Sequence, residues 1–190
     1  METLTSPPPV DASQQPAEAP RLTLAGHLEE LRRRLGLSLL VLLAAIGVSW
    51  TQVERIIGWL QRPAEPWLTS FAYFTPTEPV LAYLNVAVLS GLILAMPVLL
   101  SQAWGFVRTA LIWRERYYGL AFIWWGSVLF LAGCLFAYYV LLPISLRFLL
   151  GIGRDYLEPV ISIQRYLSFV TTITFWCGLL FELPAVLFLL

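Results

Sequence analysis

Four long stretches with almost no charged side chains constrain this chain more than anything else in it. Leu35 to Val53 runs for 19 residues between Arg34 and Glu54, Pro79 to Val107 for 29, and Tyr117 to Leu146 for 30. The fourth, Tyr166 to Phe181, is interrupted only by Glu182 before uncharged sequence resumes to Leu190. A hydrocarbon core of about 30 Å takes about 20 residues of helix to cross, and backbone groups inside it have to be satisfied within the segment itself. Apolar residues make up 58% of the 190 and charged residues 13%, against a usual half and quarter, so water is not the main solvent. The pattern predicts an all-α fold, a polytopic transmembrane helix bundle with four spans at about 35–55, 80–106, 117–143 and 164–190.

The same composition excludes other classes. Net charge is zero and all twelve basic residues are Arg, which leaves no broad basic surface for nucleic acid. Cys134 and Cys177 both fall in apolar runs, where a thiol acts as a small hydrophobe and not as part of a disulfide framework. His27 has no second His or Cys nearby, so neither a metal nor another cofactor is expected. No set of residues with catalytic spacing stands out, and an enzyme is not expected.

Residues 1–20, with Pro7, Pro8, Pro9, Pro16 and Pro20 among small and polar neighbours, predict a disordered tail ahead of a bundle over 21–190. From Leu28 the spacing Leu28, Leu31, Leu35, Leu39 predicts a short amphipathic surface helix leading into the first span. Arg32 to Arg34 before an apolar run also imitates a secretory signal peptide, but three further spans and no small-residue cleavage site favour an uncleaved helix. Seven arginines fall on the side of the N-terminus and the second loop and five on the other, which predicts a cytoplasmic N-terminus. Ile56 to Phe74 is broken by Arg62, Pro63, Glu65 and Pro66, and its aromatics suit an interface, so it is read as short helices or turns capping the outer ends. Close helix approach is expected at Ala87, Gly91 and Ala95 and at Gly119, Gly126 and Gly133, while Pro97 should kink the second span.

Three acids depart from an apolar bundle. Glu30 sits at the membrane entry, where it is either a simple intrahelical partner of Arg33 or Arg34 or a binding group. Glu115 lies between Arg114 and Arg116 in the second loop and is open to the same two readings. Glu182 interrupts the fourth span, at a cost of about 2.5 to 3.5 kcal/mol on insertion scales, which makes it a functional candidate. Stepping back along its helix by three or four residues meets Gly178, Thr174, Thr171 and Ser168, a stripe expected to face a groove or a partner helix.

These residues carry a resemblance. His27-Leu28-Glu29-Glu30-Leu31-Arg32-Arg33-Arg34-Leu35 is similar to the entry motif of TatC, the multi-span subunit of the twin-arginine protein translocase. The similarity continues through Pro97 to Phe106, Glu115, Tyr138 to Pro143, Tyr166 to Phe169 and Phe181 to Pro184, in the family's order and spacing. Pro63 falls where the family has an outer-loop proline. Thr109-Ala110 replace a proline of that family, and Asn85 replaces a basic residue. The resemblance implies six spans where this chain stops in the fourth, so the sequence is expected to be a fragment or a truncated form.

It also implies a role: recognition of folded cargo through a signal peptide with two adjacent arginines, with transport driven by the proton-motive force. The implied signal-peptide site is Glu30, Arg32, Phe106 and Glu115, the intramembrane polar partner site is Glu182, and Pro63, Pro97 and Gln102 are structural. Implied partners are TatB-like and TatA-like single-span subunits, further copies in an oligomer, and membrane lipid, in a bacterial cytoplasmic (inner) membrane. Rival readings are a proton-coupled secondary transporter centred on Glu182, an intramembrane hydrolase, and an inactive fragment. A transporter would show an internal repeat, which the two halves lack.

Overall fold

The computed structural model describes residues 24–67, 70–107, 119–152 and 160–189, so the expected tail over 1–20 lies outside it. Helix α1 (Leu24–Trp50) is one continuous rod. The surface helix expected from Leu28 and the first span run on as this one element, with no Gly-Pro break between Leu28 and Trp50. The chain then turns at Thr51 and Gln52, whose amides donate to the carbonyls of Val48 and Ser49, and α2 (Val53–Gln61) leaves at 73° to α1. That bend lies inside the uncharged stretch from Leu35 to Val53.

Val53, Ile57 and Leu60, spaced four and three apart, form the buried face of α2. A 3₁₀ turn (Arg62–Ala64) ends it, with Pro63 in its first positions, where a missing amide proton leaves no bond unmade. Helix α3 (Glu78–Val107) continues through Pro97 without interruption. Helix α4 (Gly119–Phe136) passes through a π-helical turn (Ala137–Leu141) into α5 (Leu142–Gly151). The wider turn lets the helical run carry on past Pro143, which has no amide proton to offer the previous turn. Helix α6 (Ile163–Leu189) completes the bundle and holds Pro184 inside it.

Helices α3, the α4–α5 run and α6 are each long and apolar enough to cross a membrane, and α1 with α2 makes a fourth if the bent pair is one span. The principal helix pairs are α1 with α3 and α4 with α6, and α3 also packs on α4 and α6. Small residues make these contacts possible. A Cβ at Gly91 would lie 2.8 Å from the backbone of Ile46, and one at Gly133 would lie 2.6 Å from the Cys177 carbonyl oxygen. Large apolar side chains such as Leu40, Leu43, Leu94, Leu120 and Leu187 face outward, as suits lipid surroundings.

The main buried cluster joins α2 to the near ends of the spans: Val53, Ile57 and Leu60 pack with Ala82 and Val86 of α3, Leu142 and Leu146 of α5, and Leu167 and Val170 of α6. We call this end the cap and the opposite one, where α1 begins and α3 finishes, the entry end.

Candidate functional site

At the entry end, Glu30 and Arg34 lie one turn apart on α1. Arg34 donates to Glu30 Oε1 from both Nε, at 3.1 Å, and Nη2, at 2.6 Å. The Arg34 and Glu30 side chains are 15% and 21% exposed, so this is a partly desolvated ion pair rather than a solvated surface contact. The Arg34 guanidinium lies against Gly105 of α3, where any Cβ would collide with it. Beside it, the buried Trp104 packs its ring 5.4 Å from that of Phe122 and covers Gly119 at the start of α4. Phe106 and Gln102 are half-buried on α3, while Arg32 and Arg33 are exposed on α1. Of the residues implied for the signal-peptide site, Glu30 and Phe106 thus belong to neighbouring helix ends, whereas Glu115 lies outside the described residues. Helical spacing alone pairs Arg34 with Glu30, whereas its seat on Gly105 depends on how α1 and α3 meet and has no local sequence signal.

Deeper in the bundle, Glu182 is 4% exposed. Neither of its carboxyl oxygens has a hydrogen-bond partner among the described residues. Gly126 of α4 makes room for it, since a Cβ there would lie 2.5 Å from Glu182 Oε1 and 2.8 Å from Leu100 Cδ1 of α3. The stripe behind it faces α4: Gly178 meets the Phe130 ring and Cys134 Sγ, and Thr171 and Thr174 are buried. Thr171 Oγ1 bonds back to the carbonyl of Leu167 at 2.8 Å, while Thr174 Oγ1 has no partner among the described residues. A cavity of about 100 Å³ lies between Trp59, Leu89, Ser90, Leu131, Cys134 and Thr174.

The cap contains a further buried acid, Glu78, which is not among the three acids singled out by sequence. Glu78 Oε2 accepts from Ser162 Oγ at 2.6 Å and from the Phe74 amide at 3.2 Å, and both Glu78 and Ser162 are buried. Ser162 immediately precedes α6, so one carboxylate ties the starts of α3 and α6. Ala72 extends the tie by pairing with Ile161 and Ile163 through its backbone. Tyr138 and Tyr166 donate hydroxyl bonds of 2.7 Å to the carbonyls of Trp59 and Leu60 near the end of α2. The available signal was Thr75-Pro76-Thr77-Glu78, a hydroxyl residue three before an acid at a helix start.

A bundle of apolar membrane-crossing helices, capped at one end and carrying a carboxylate–guanidinium pair at the other, defines a multi-pass helical membrane protein. The family model described as Sec-independent protein translocase protein (TatC) matches residues 26–190, and the chain belongs to that family. It is 38% identical over 170 residues to the TatC protein of Koribacter versatilis, covering 86% of this chain and 62% of that relative. To the TatC protein of Aquifex aeolicus it is 35% identical over 176 residues, covering 89% of this chain and 72% of the relative. A crystal structure of the twin arginine translocase receptor TatC superposes with a TM-score of 0.79 at 33% identity, covering 86% of this chain and 73% of that one. The chain therefore spans about two thirds of the length of such relatives.

Proposed function

We propose that this chain is the signal-peptide receptor part of a twin-arginine protein translocase. In this reading it catalyses no reaction: it takes up folded cargo whose signal peptides carry two adjacent arginines, and the proton-motive force drives transport. The observation that carries the reading is the Glu30 carboxylate, which holds a guanidinium by two bonds to one oxygen in a partly desolvated niche beside Trp104, Gly105 and Phe106. Carboxylates bind guanidinium groups best through paired, charge-assisted hydrogen bonds. Glu115 and Arg32 complete the proposed site.

The chain is further proposed to lie in a bacterial cytoplasmic membrane with its N-terminus cytoplasmic, as its arginine clusters suggest, and to assemble in copies with TatB-like and TatA-like subunits. Glu182 is their proposed docking point, its carboxyl group offered to a polar group of an incoming helix. Both carboxyl oxygens lack a hydrogen-bond partner among the described residues and lie enclosed beside Gly126 and Leu100, so docking in this reading requires the helices around Glu182 to part. Loss of one member of a desolvated charge pair costs on the order of 2 to 5 kcal/mol. Glu30→Ala should therefore weaken binding of a twin-arginine peptide by at least tenfold, and so should Glu115→Ala, measured on the protein in nanodiscs. Unchanged crosslinking in both variants would reduce the two acids to ordinary surface charges.

A further inference from the structure

We infer that Arg34 is an internal competitor for the carboxylate that receives the cargo arginine, seated on Gly105 and displaced when cargo binds; this rests on the reading of Glu30 as that carboxylate. Both Arg34 bonds end on the same oxygen, Glu30 Oε1, from Nε at 3.1 Å and Nη2 at 2.6 Å. A second guanidinium approaching Glu30 in the parallel two-bond fork needs both carboxyl oxygens, and Oε1 already accepts twice. It would also meet the positive charge of Arg34 within a few ångströms, in a niche where neither side chain is more than 21% exposed. Cargo arginine and Arg34 therefore exclude one another.

Gly105 makes the occupied state the resting one. The guanidinium lies where a Cβ on this residue would stand, so any larger residue would push Arg34 off α3 and away from its hold on Glu30. Arg34 is thus held at two points, a carboxylate on its own helix and the bare backbone of its neighbour. Lysine, a point charge without the planar fork, binds a vacated carboxylate less tightly than arginine does. The competition lowers the affinity of both peptides by the same factor, which leaves the intrinsically weaker lysine peptide the further from saturation.

Because an internal partner lowers the fraction of receptor ready to bind, removing it raises apparent affinity by the reciprocal of that fraction. For an ion pair of this kind the gain is about three- to fivefold. The test uses the whole chain in nanodiscs, titrated with a fluorescent synthetic peptide carrying two adjacent arginines and with its twin-lysine counterpart. Arg34→Gln should tighten the arginine peptide and the lysine peptide by the same factor, about three- to fivefold, with the lysine peptide the weaker binder before and after. Gly105→Ala, with Arg34 retained, should shift affinity in the same direction. Arg33→Gln removes the same charge one residue away, from an exposed position outside the pair, and should give a smaller gain. Unchanged or weaker binding in Arg34→Gln or in Gly105→Ala overturns the proposal, as does an equal gain in Arg33→Gln. Where Arg34→Gln gives no folded protein, Gly105→Ala decides alone. Glu30→Gln separates the two levels: if it abolishes binding while Arg34→Gln gives no gain, only the competition fails, and if it leaves binding intact both readings fall.

Discussion

Replacing Gly133 by alanine tests the packing of α4 on α6 directly. The added methyl would stand 2.6 Å from the Cys177 carbonyl oxygen, 2.9 Å from Gly178 Cα and 2.9 Å from Phe181 Cβ, all atoms that cannot rotate away. Restoring contacts of about 3.5 to 4 Å requires the helices to part by roughly 1 Å, and a gap of that size forfeits a quarter to a half of each neighbouring dispersion contact. Overpacking of this kind costs about 1 to 3 kcal/mol, offset by about 0.5 to 1 kcal/mol from the better helix propensity of alanine. A net loss of up to about 2.5 kcal/mol lowers the melting temperature by up to about 10 °C in a chain of this size. Gly47→Ala is the matched control, because a Cβ there meets nothing within 4 Å and only the propensity gain remains. Gly178→Ala falls between them, since its Cβ would press on the Phe130 ring and Cys134 Sγ, which are side chains. Thermal unfolding in detergent, followed by tryptophan fluorescence, ranks the three. If Gly133→Ala melts with or above Gly47→Ala, the close approach of α4 and α6 is refuted.

Tyr166→Phe leaves the Leu60 carbonyl without the hydroxyl that meets it at 2.7 Å, and should cost about 1 to 2 kcal/mol in the same unfolding assay. For topology, cysteines placed at positions 115 and 62, in a background lacking the buried Cys134 and Cys177, should react with an impermeant maleimide from the cytoplasmic and outer sides respectively. Labelling of position 115 from outside would reverse the proposed orientation. Glu182→Gln should keep partner crosslinking and Glu182→Leu should abolish it with peptide binding intact; normal export and crosslinking in Glu182→Leu would remove the docking role.

The helical, membrane-crossing character of the chain was legible because uncharged length alone dictates it. Internal joints were not. Glu54 marks where the first uncharged stretch ends, but the bend at Thr51 and Gln52 comes before it and follows from the burial of Val53, Ile57 and Leu60 under the cap. Pro143 reads as a stop, yet the π-helical turn absorbs its missing donor and the helix reaches Gly151. Glu182 was visible as a charge in an apolar run, but Gly126 and Leu100, which enclose it, belong to two other helices and share no local pattern with it. The Glu30–Arg34 pair follows from helical spacing. Its link to Gly105 is a tertiary fact.

The cap has a mechanical consequence. Glu78, Ser162, Tyr138 and Tyr166 knot the near ends of α2, α3, α6 and the α4–α5 run together, and the main apolar cluster lies in the same half. At the other end Arg34 rests on a bare glycine, and Glu182 has no hydrogen-bond partner among the described residues. A bundle fastened at one end behaves as a set of levers pivoting there. Over the roughly 40 Å length of α6, a tilt of about 5° amounts to some 3 to 4 Å at the far tip. Any tilt about the knot would therefore move the entry end, where cargo is proposed to arrive, further than the rest of the bundle.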